Sequence, residues 1–92
     1  MFDRILVSAR ALVRDAKYYM TTHGQAAMYD DELTLVEVEN VIVTGGILER
    51  QRDDRSGEFK YRIRAALAGG DVEAVFKFAP DGRLAIITVY CI

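Results

Sequence analysis

Three residue types in this chain could transfer protons or bind an anion. His23 is the only histidine, and histidine titrates nearest neutrality without special surroundings, so it is the first candidate for acid–base chemistry. Lys60, Arg62 and Arg64 alternate along the chain and would project from one strand face, where they could bind successive phosphates or stabilise a developing negative charge. Tyr90 could donate a proton from its hydroxyl or stack on a nucleic-acid base.

Each candidate also has a purely structural interpretation. A histidine at a helix start often caps the helix or packs there, and charged outward faces are common on antiparallel strands. Thr88 and Tyr90 would share a face of the last strand with Leu84 and Ile86. That placement predicts core packing of Tyr90, with its hydroxyl at the edge of the core.

The chain has few residues suited to a metal site, a phosphate-binding loop or a disulfide. The chain has one His and one Cys, so a His/Cys metal cluster cannot be built, and we expect no metal and no cofactor. Gly45-Gly46 and Gly69-Gly70 lack the spacing and following Lys of a phosphate-binding loop. Cys91 has no disulfide partner in the chain, and no apolar run is long enough for a bilayer. These features predict a cytoplasmic protein without a membrane partner.

Length and composition predict one folded domain over residues 1–92. Hydrophobic residues make up 51% of the chain and charged residues 28%, which is typical of a single hydrophobic core. The formal net charge of -2 is far from the positive excess of a dedicated duplex-DNA binder. The cations are concentrated in the second half, where Arg50 and Arg52 could extend the basic row of Arg62 and Arg64 or only aid solubility.

The spacing of apolar residues predicts helices in the first half. From Phe2 to Ala16 they recur three and four apart, which indicates an amphipathic helix that ends near Lys17. A second, shorter helix is predicted to start near Thr22 and to run into an acidic stretch at residues 30–32. Thr34 and Glu37 have the spacing of a capping box, which predicts a third helix over residues 35–44.

After Gly46 the pattern changes to alternation, which indicates strands. Four are predicted, at residues 47–51, 58–67, 72–78 and 84–91, and the short loops between them favour antiparallel neighbours. The alternation in the second strand predicts an apolar face against the helices and a charged face toward water. The last strand is apolar throughout, so it should be central or covered on both sides. The fold class is α+β, with N-terminal helices packed on a four-stranded antiparallel β-meander.

Several features follow one another from His23 to the C-terminus. His23 opens a short helix that carries Met28, and the step Leu33-Thr34 leads into a helix with Glu-Val-Glu at residues 37–39. A Gly-x-Ile-x-Glu element follows at residues 45–49, then a strand with Tyr61-Arg62 and an apolar closing strand at residues 82–90. In their order and spacing these features resemble the bacterial family called domain of unknown function 4258. The resemblance covers residues 21–92, which leaves residues 1–20 as an additional N-terminal helix. Ala27 and Asp31 stand where the family tends to have Arg.

The resemblance implies a fold similar to the RelE/ParE-like toxins, small ribonucleases that cut RNA without a metal. Such cleavage needs a base for the 2′-hydroxyl, an acid for the leaving oxygen and positive charge near the transition state. The leading hypothesis is a toxin-like RNA-binding or RNA-cleaving domain with His23 as acid or base, Arg62 and Arg64 on phosphate, and Tyr90 in support.

The alternative hypothesis is a non-catalytic protein-interaction module of the same fold. Such a module would bind a cognate protein partner or form a homodimer. The amphipathic first helix, or the apolar last strand if its edge were exposed, would supply the contact surface.

Overall fold

The computed structural model describes residues 1–92 as three helices and five strands. In chain order they are α1 (Asp3–Arg14), β1 (Tyr18–Met20), α2 (Thr22–Asp30), α3 (Leu35–Thr44), β2 (Gly46–Arg52), β3 (Phe59–Leu67), β4 (Gly70–Phe78) and β5 (Leu84–Cys91). The α+β class is confirmed, and so is the capping box of Thr34 and Glu37 at the start of α3. No helix is long and apolar enough to cross a membrane.

The sheet has five strands in the order β1-β5-β4-β3-β2 and is mixed. Strands β2 to β5 form the predicted antiparallel meander, but β1 adds a parallel strand, with Tyr18 opposite Leu84 and Met20 opposite Ile86. The predicted four-stranded antiparallel sheet is therefore wrong in this detail. Three residues are too few to show an alternating pattern, and the partner strand lies at the other end of the chain, so no local signal indicated β1.

Helices α1 and α3 pack on one face of the sheet and form the core with it. Fully buried side chains of α3, such as Val41 and Ile42, meet Ile63, Phe76 and Ile86 of the sheet. Burial of such apolar side chains is the main force that holds the two layers together.

The first helix is an integral part of that core. Its Ala9 and Val13 are buried within the same cluster. Arg10 donates hydrogen bonds to the carbonyl oxygens of Ile42 (3.1 Å) and Gly45 (2.9 Å). These bonds satisfy carbonyl groups that the last turn of α3 would otherwise leave unpaired.

Helix α2 covers the edge of β5 that lies beyond β1. A Cβ added to Gly24 would come within 2.6 Å of the carbonyl oxygen of Ile86, so the helix can approach the strand this closely only with glycine there. The hydroxyl of Thr21 donates to the carbonyl of Ile87 at 3.1 Å, and Asp31 accepts from the backbone N–H of Cys91 at 2.7 Å. Strand β5 is thus central, as predicted, and the free edges of the sheet are β1 and β2.

A β-bulge in β5 changes which side chains share a face. Val75 of β4 lies opposite Thr88, whereas its neighbour Phe76 lies opposite Ile86, so Ile87 is an extra residue without a partner. A bulge reverses the alternation of side chains that follow it. Thr88 and Tyr90 therefore lie on the face away from the core, and the prediction that placed them with Leu84 and Ile86 is wrong.

A second bulge, at Leu48, has the same effect in β2. Ile47 lies opposite Ile63, but Glu49 lies opposite Arg62 and Arg50 opposite Tyr61. Because Tyr61 faces the core side, Arg50 lies on that side too, and so does Arg52 two residues later. The two arginines do not extend the basic row of β3, contrary to that option in the sequence analysis.

Candidate functional site

The face of the sheet opposite the helices, called the outer face here, is lined by polar side chains of β2 to β5. In β3, Tyr61, Ile63 and Ala65 are buried, while Arg62 and Arg64 between them are half-buried. The predicted separation of an apolar and a charged face is confirmed. The outer-face residues connected by hydrogen bonds around Glu73 are Glu49, Gln51, Arg62, Arg64, Asp71, Glu73 and Tyr90.

Glu73 of β4 is the centre of this group. One of its oxygens, Oε1, accepts hydrogen bonds from the Tyr90 hydroxyl at 2.7 Å and from Nη1 of Arg62 at 2.8 Å. The other, Oε2, accepts from Nη1 of Arg64 at 3.4 Å. The glutamate side chain is only 4% exposed. Three of the four site residues named from the sequence, Arg62, Arg64 and Tyr90, therefore converge on one buried carboxylate.

Sequence reasoning missed Glu73, although a signal was present. It is a single acid within the otherwise apolar run Val72-Glu73-Ala74-Val75-Phe76. A glutamate in such a strand is almost never fully buried unless it is paired, so it must have cationic or hydrogen-bonding partners nearby. The arginines of the neighbouring predicted strand were the obvious partners, and Glu73 does lie directly opposite Arg64 in the register.

The protonation states in this group are set by its hydrogen bonds. The bonds from Tyr90 and Arg62 lower the pKa of Glu73 below its ordinary value. The same bond to Glu73, together with burial, raises the pKa of Tyr90. Hydrogen bonds to Glu73 and Glu49 raise the pKa of Arg62. At neutral pH the glutamate is therefore an anion, the tyrosine keeps its proton and the arginine is charged.

Further carboxylates surround the two arginines. Nε of Arg62 donates to Glu49 at 2.8 Å, and Arg64 donates to Asp71 through Nε (3.1 Å) and Nη2 (2.8 Å). The acids lie on the strands that flank β3, so the basic row predicted from β3 alone is neutralised by its neighbours. Nη2 of Arg62 makes no hydrogen bond, and its two N–H groups remain available as donors.

His23 is the second residue of α2 and is exposed to solvent. Gly24, the next residue, contacts the backbone of β5, and Gln25 lines a groove on the helix side of the sheet. Successive helical residues are rotated by about 100°, so His23 and Gln25 lie on opposite sides of Gly24. It forms no hydrogen bond or ion pair, and the structure does not bring it into contact with the group around Glu73.

Ala27 and Asp31, the two departures from the family pattern, both have structural roles. Ala27 packs against the hydrophobic core. Asp31 accepts the backbone hydrogen bond from Cys91 that fixes the end of β5. The chain thus uses these two positions for packing and strand termination.

An apolar groove lies on the helix side, between β1, α2 and α3. Its volume is about 610 Å³, and its lining includes Tyr18, Met20, Met28, Tyr29 and Leu35. The hydroxyl of Tyr18 donates to Glu39 of α3 at 2.5 Å. Burial and this hydrogen bond raise the pKa of Tyr18 to about 12. The groove contains none of the four residues named from the sequence.

Comparison with known families identifies one match. The family model described as Domain of unknown function (DUF4258) matches residues 20–91, from the last residue of β1 to the end of β5. The match includes α2, α3 and the complete meander, and with them His23 and the group around Glu73. No curated protein matches the sequence. The chain belongs to the DUF4258 family.

Proposed function

We propose that the chain is a toxin-like domain that binds RNA and cleaves it without a metal at the outer face of the sheet. The observation that carries the proposal is the convergence of Arg62, Arg64 and Tyr90 on Glu73, on a face that no helix covers. Cleavage of this kind needs positive charge at the phosphate and groups that move protons. The outer face supplies the first, and Tyr90 and His23 supply the second.

A bound phosphate would replace Glu49 as the partner of Arg62 and Asp71 as the partner of Arg64. The side chains of Glu49 and Asp71 are 44% and 42% exposed, and ion pairs with such exposed carboxylates contribute little. A phosphate can replace them, because guanidinium groups bind phosphate with two parallel hydrogen bonds. Glu73, beneath the arginines, would keep both guanidinium groups oriented while this exchange occurs.

The proton transfers in the proposed reaction balance as follows. The 2′-oxygen attacks phosphorus while the bond from phosphorus to the 5′-oxygen breaks, which gives a cyclic phosphate and a 5′-hydroxyl. His23 takes the proton of the 2′-hydroxyl, and Tyr90, which keeps its proton at neutral pH, donates that proton to the leaving 5′-oxygen. Solvent water then takes the proton from His23 and returns one to Tyr90, so that both side chains regain their starting states. Strands β3 and β5 are about 10 Å apart, two strand spacings, and α2 lies beyond the edge of β5, so an RNA strand would extend across β4 and β5 to contact both the arginines and α2.

The test is cleavage of a mixed-sequence RNA by the purified protein in excess chelator. We expect wild-type protein to cut and His23→Ala to lose about 100-fold or more in rate, the usual contribution of an acid–base group. Arg62→Ala should lose activity as well. Arg83→Ala is the matched control, since Arg83 pairs with Asp81 in the turn before β5, outside the outer-face group. Wild-type protein that leaves RNA intact would overturn the proposal.

A second candidate function is a non-catalytic interaction module, and the apolar groove favours it. Tyr29 and Leu35 at the groove are 70% and 47% exposed, and large exposed apolar side chains are common at protein–protein interfaces. In this case the partner is a cognate protein or a second copy of the chain. Sedimentation over a range of concentrations tests the second copy, and a monomer at every concentration counts against self-association.

A further inference from the structure

The hairpin of β2 and β3 carries a cluster of arginines around an exposed aromatic ring, on the side of the sheet opposite the outer face. Phe59 is 40% exposed and is not part of the hydrophobic core. Cζ of Arg50 lies 4.3 Å from the centre of its ring, and Cζ of Arg52 lies 5.9 Å away. Both distances are within the range of a cation–π interaction. We call Arg50, Arg52 and Phe59 the hairpin platform.

The cations of this region have no carboxylate partners. Arg50 and Arg52 of β2 and Arg55 of the loop that follows form no ion pair. Two of the three acids of the loop are engaged elsewhere, and the third, Asp54, forms no ion pair. Asp53 accepts from the backbone N–H groups of Arg55 (2.8 Å) and Ser56 (3.3 Å), and Glu58 binds Lys77 of β4 (2.9 Å). The guanidinium groups therefore remain free to bind an external anion.

An exposed Phe flanked by free arginines has little use in folding, since it adds no packing to the core. The same arrangement is well suited to unpaired bases, because aromatic rings and guanidinium planes both present flat surfaces for stacking. Bases within a duplex are already stacked on each other and are not accessible in this way. The chemistry of the platform thus favours single-stranded nucleic acid.

We infer that the hairpin platform binds single-stranded RNA, with a base stacked on the Phe59–Arg50 pair and with Arg52 and Arg55 in contact with the flanking phosphates. This inference rests on the proposed function, for which it names a second contact region of the same substrate. Strand β2 is a free edge of the sheet, so an RNA strand can pass over it from the outer face to the platform. Phe59 and Arg62 are about 10 Å apart along β3.

Fluorescence anisotropy with a labelled, mixed-sequence single-stranded RNA of twelve nucleotides, in chelator, tests the platform. We expect Phe59→Leu, which keeps an apolar side chain but lacks the ring, to bind about 5- to 100-fold more weakly, the range measured for loss of one stacked base. Phe59→Tyr should bind like wild type. Arg52→Ala should lower the slope of log affinity against log salt by about 0.7, the value for one phosphate contact on a single strand.

Arg83→Ala is again the control, because Arg83 also lies over an aromatic ring, at 4.4 Å from the centre of Tyr19, but is bound to Asp81. It should leave affinity and salt slope unchanged. The inference is overturned if Phe59→Leu binds as tightly as wild type, if duplex RNA of the same sequence binds equally well, or if wild-type protein binds no RNA.

A parallel cleavage assay on a dinucleotide separates this inference from the proposed function, since so short a substrate cannot occupy both regions. Cleavage together with Phe59-independent binding leaves the proposed function intact and removes the platform. Phe59-dependent binding without cleavage of any substrate supports the platform and overturns the proposed cleavage.

Discussion

Two pairs of arginines on one hairpin differ in what surrounds them. Arg62 and Arg64 of β3 share the buried carboxylate of Glu73 and have further acids at their outer sides. Arg50 and Arg52 of β2 have no acid partner and lie over Phe59. The first pair is oriented by carboxylates of the protein itself, whereas the second has no carboxylate partner within the chain. The neighbours of each pair in the sheet, and not the residue type, cause this difference.

The largest difference between the two pairs should appear when Glu73, the carboxylate that Arg62 and Arg64 share, is removed. Glu73→Ala leaves Arg62, Arg64 and Tyr90 without a common acceptor, and we expect a loss of about 2 kcal/mol in the free energy of unfolding, typical of lost charge-assisted hydrogen bonds. For a chain of this length that lowers the melting temperature by about 8 to 16 °C. Glu49→Ala, at an exposed carboxylate of the same group, is the control and should change stability little. Equal melting temperatures for the two variants would contradict the central role of Glu73.

A smaller effect should appear in the dependence of stability on pH. The folded-state pKa of Glu73 is lowered, so its contribution is fully present above the ordinary pKa of a glutamate, about 4.3, and is lost as pH falls through the folded-state value. The difference in unfolding free energy between wild type and Glu73→Gln should therefore shrink as the solution is acidified from pH 5 to pH 2. Denaturant titrations at several pH values measure it, and a difference that stays constant would refute the assignment.

The smallest effect is expected at the second pair. Arg50→Ala and Arg52→Ala remove cations without a carboxylate partner, so the melting temperature should stay close to that of wild type, whereas Arg62→Ala should lower it because Glu73 loses a hydrogen bond. Thermal unfolding of the three variants under one condition makes the comparison. A drop for Arg50→Ala as large as that for Arg62→Ala would show that both pairs serve the fold.

Much of the architecture followed from local signals. The capping box predicted the start of α3, and the alternation of apolar and charged residues predicted β3 with its two faces. The two bulges could not be predicted, because a bulge depends on the register against the neighbouring strand and not on the residues at the bulge. They moved Tyr90 onto the outer face and Arg50 away from it. The short strand β1 was missed for a similar reason, since only its pairing with β5 defines it.

The candidate site was predicted in part. The sequence indicated Arg62, Arg64 and Tyr90 as separate candidates, and the structure places them around one carboxylate. Glu73 was not among these candidates, although a single acid within an apolar strand indicates a buried carboxylate with paired partners. His23 was named as an acid or base; it lies exposed on α2 without contact to the group around Glu73, and its role remains a prediction.

The parallel pairing of β1 with β5 has a consequence for the order of folding. Thr21 and Ile87, at this junction, are 66 residues apart in the chain, whereas each strand of the meander is joined to the next by a short loop. Closing a long loop costs more chain entropy than closing a short one, and contacts between distant segments form late. We therefore expect the meander to assemble first and β1 to add to it last. On unfolding, β1 should separate early, and the amide hydrogens of Tyr18 to Met20 should exchange with solvent before those of β3 and β4.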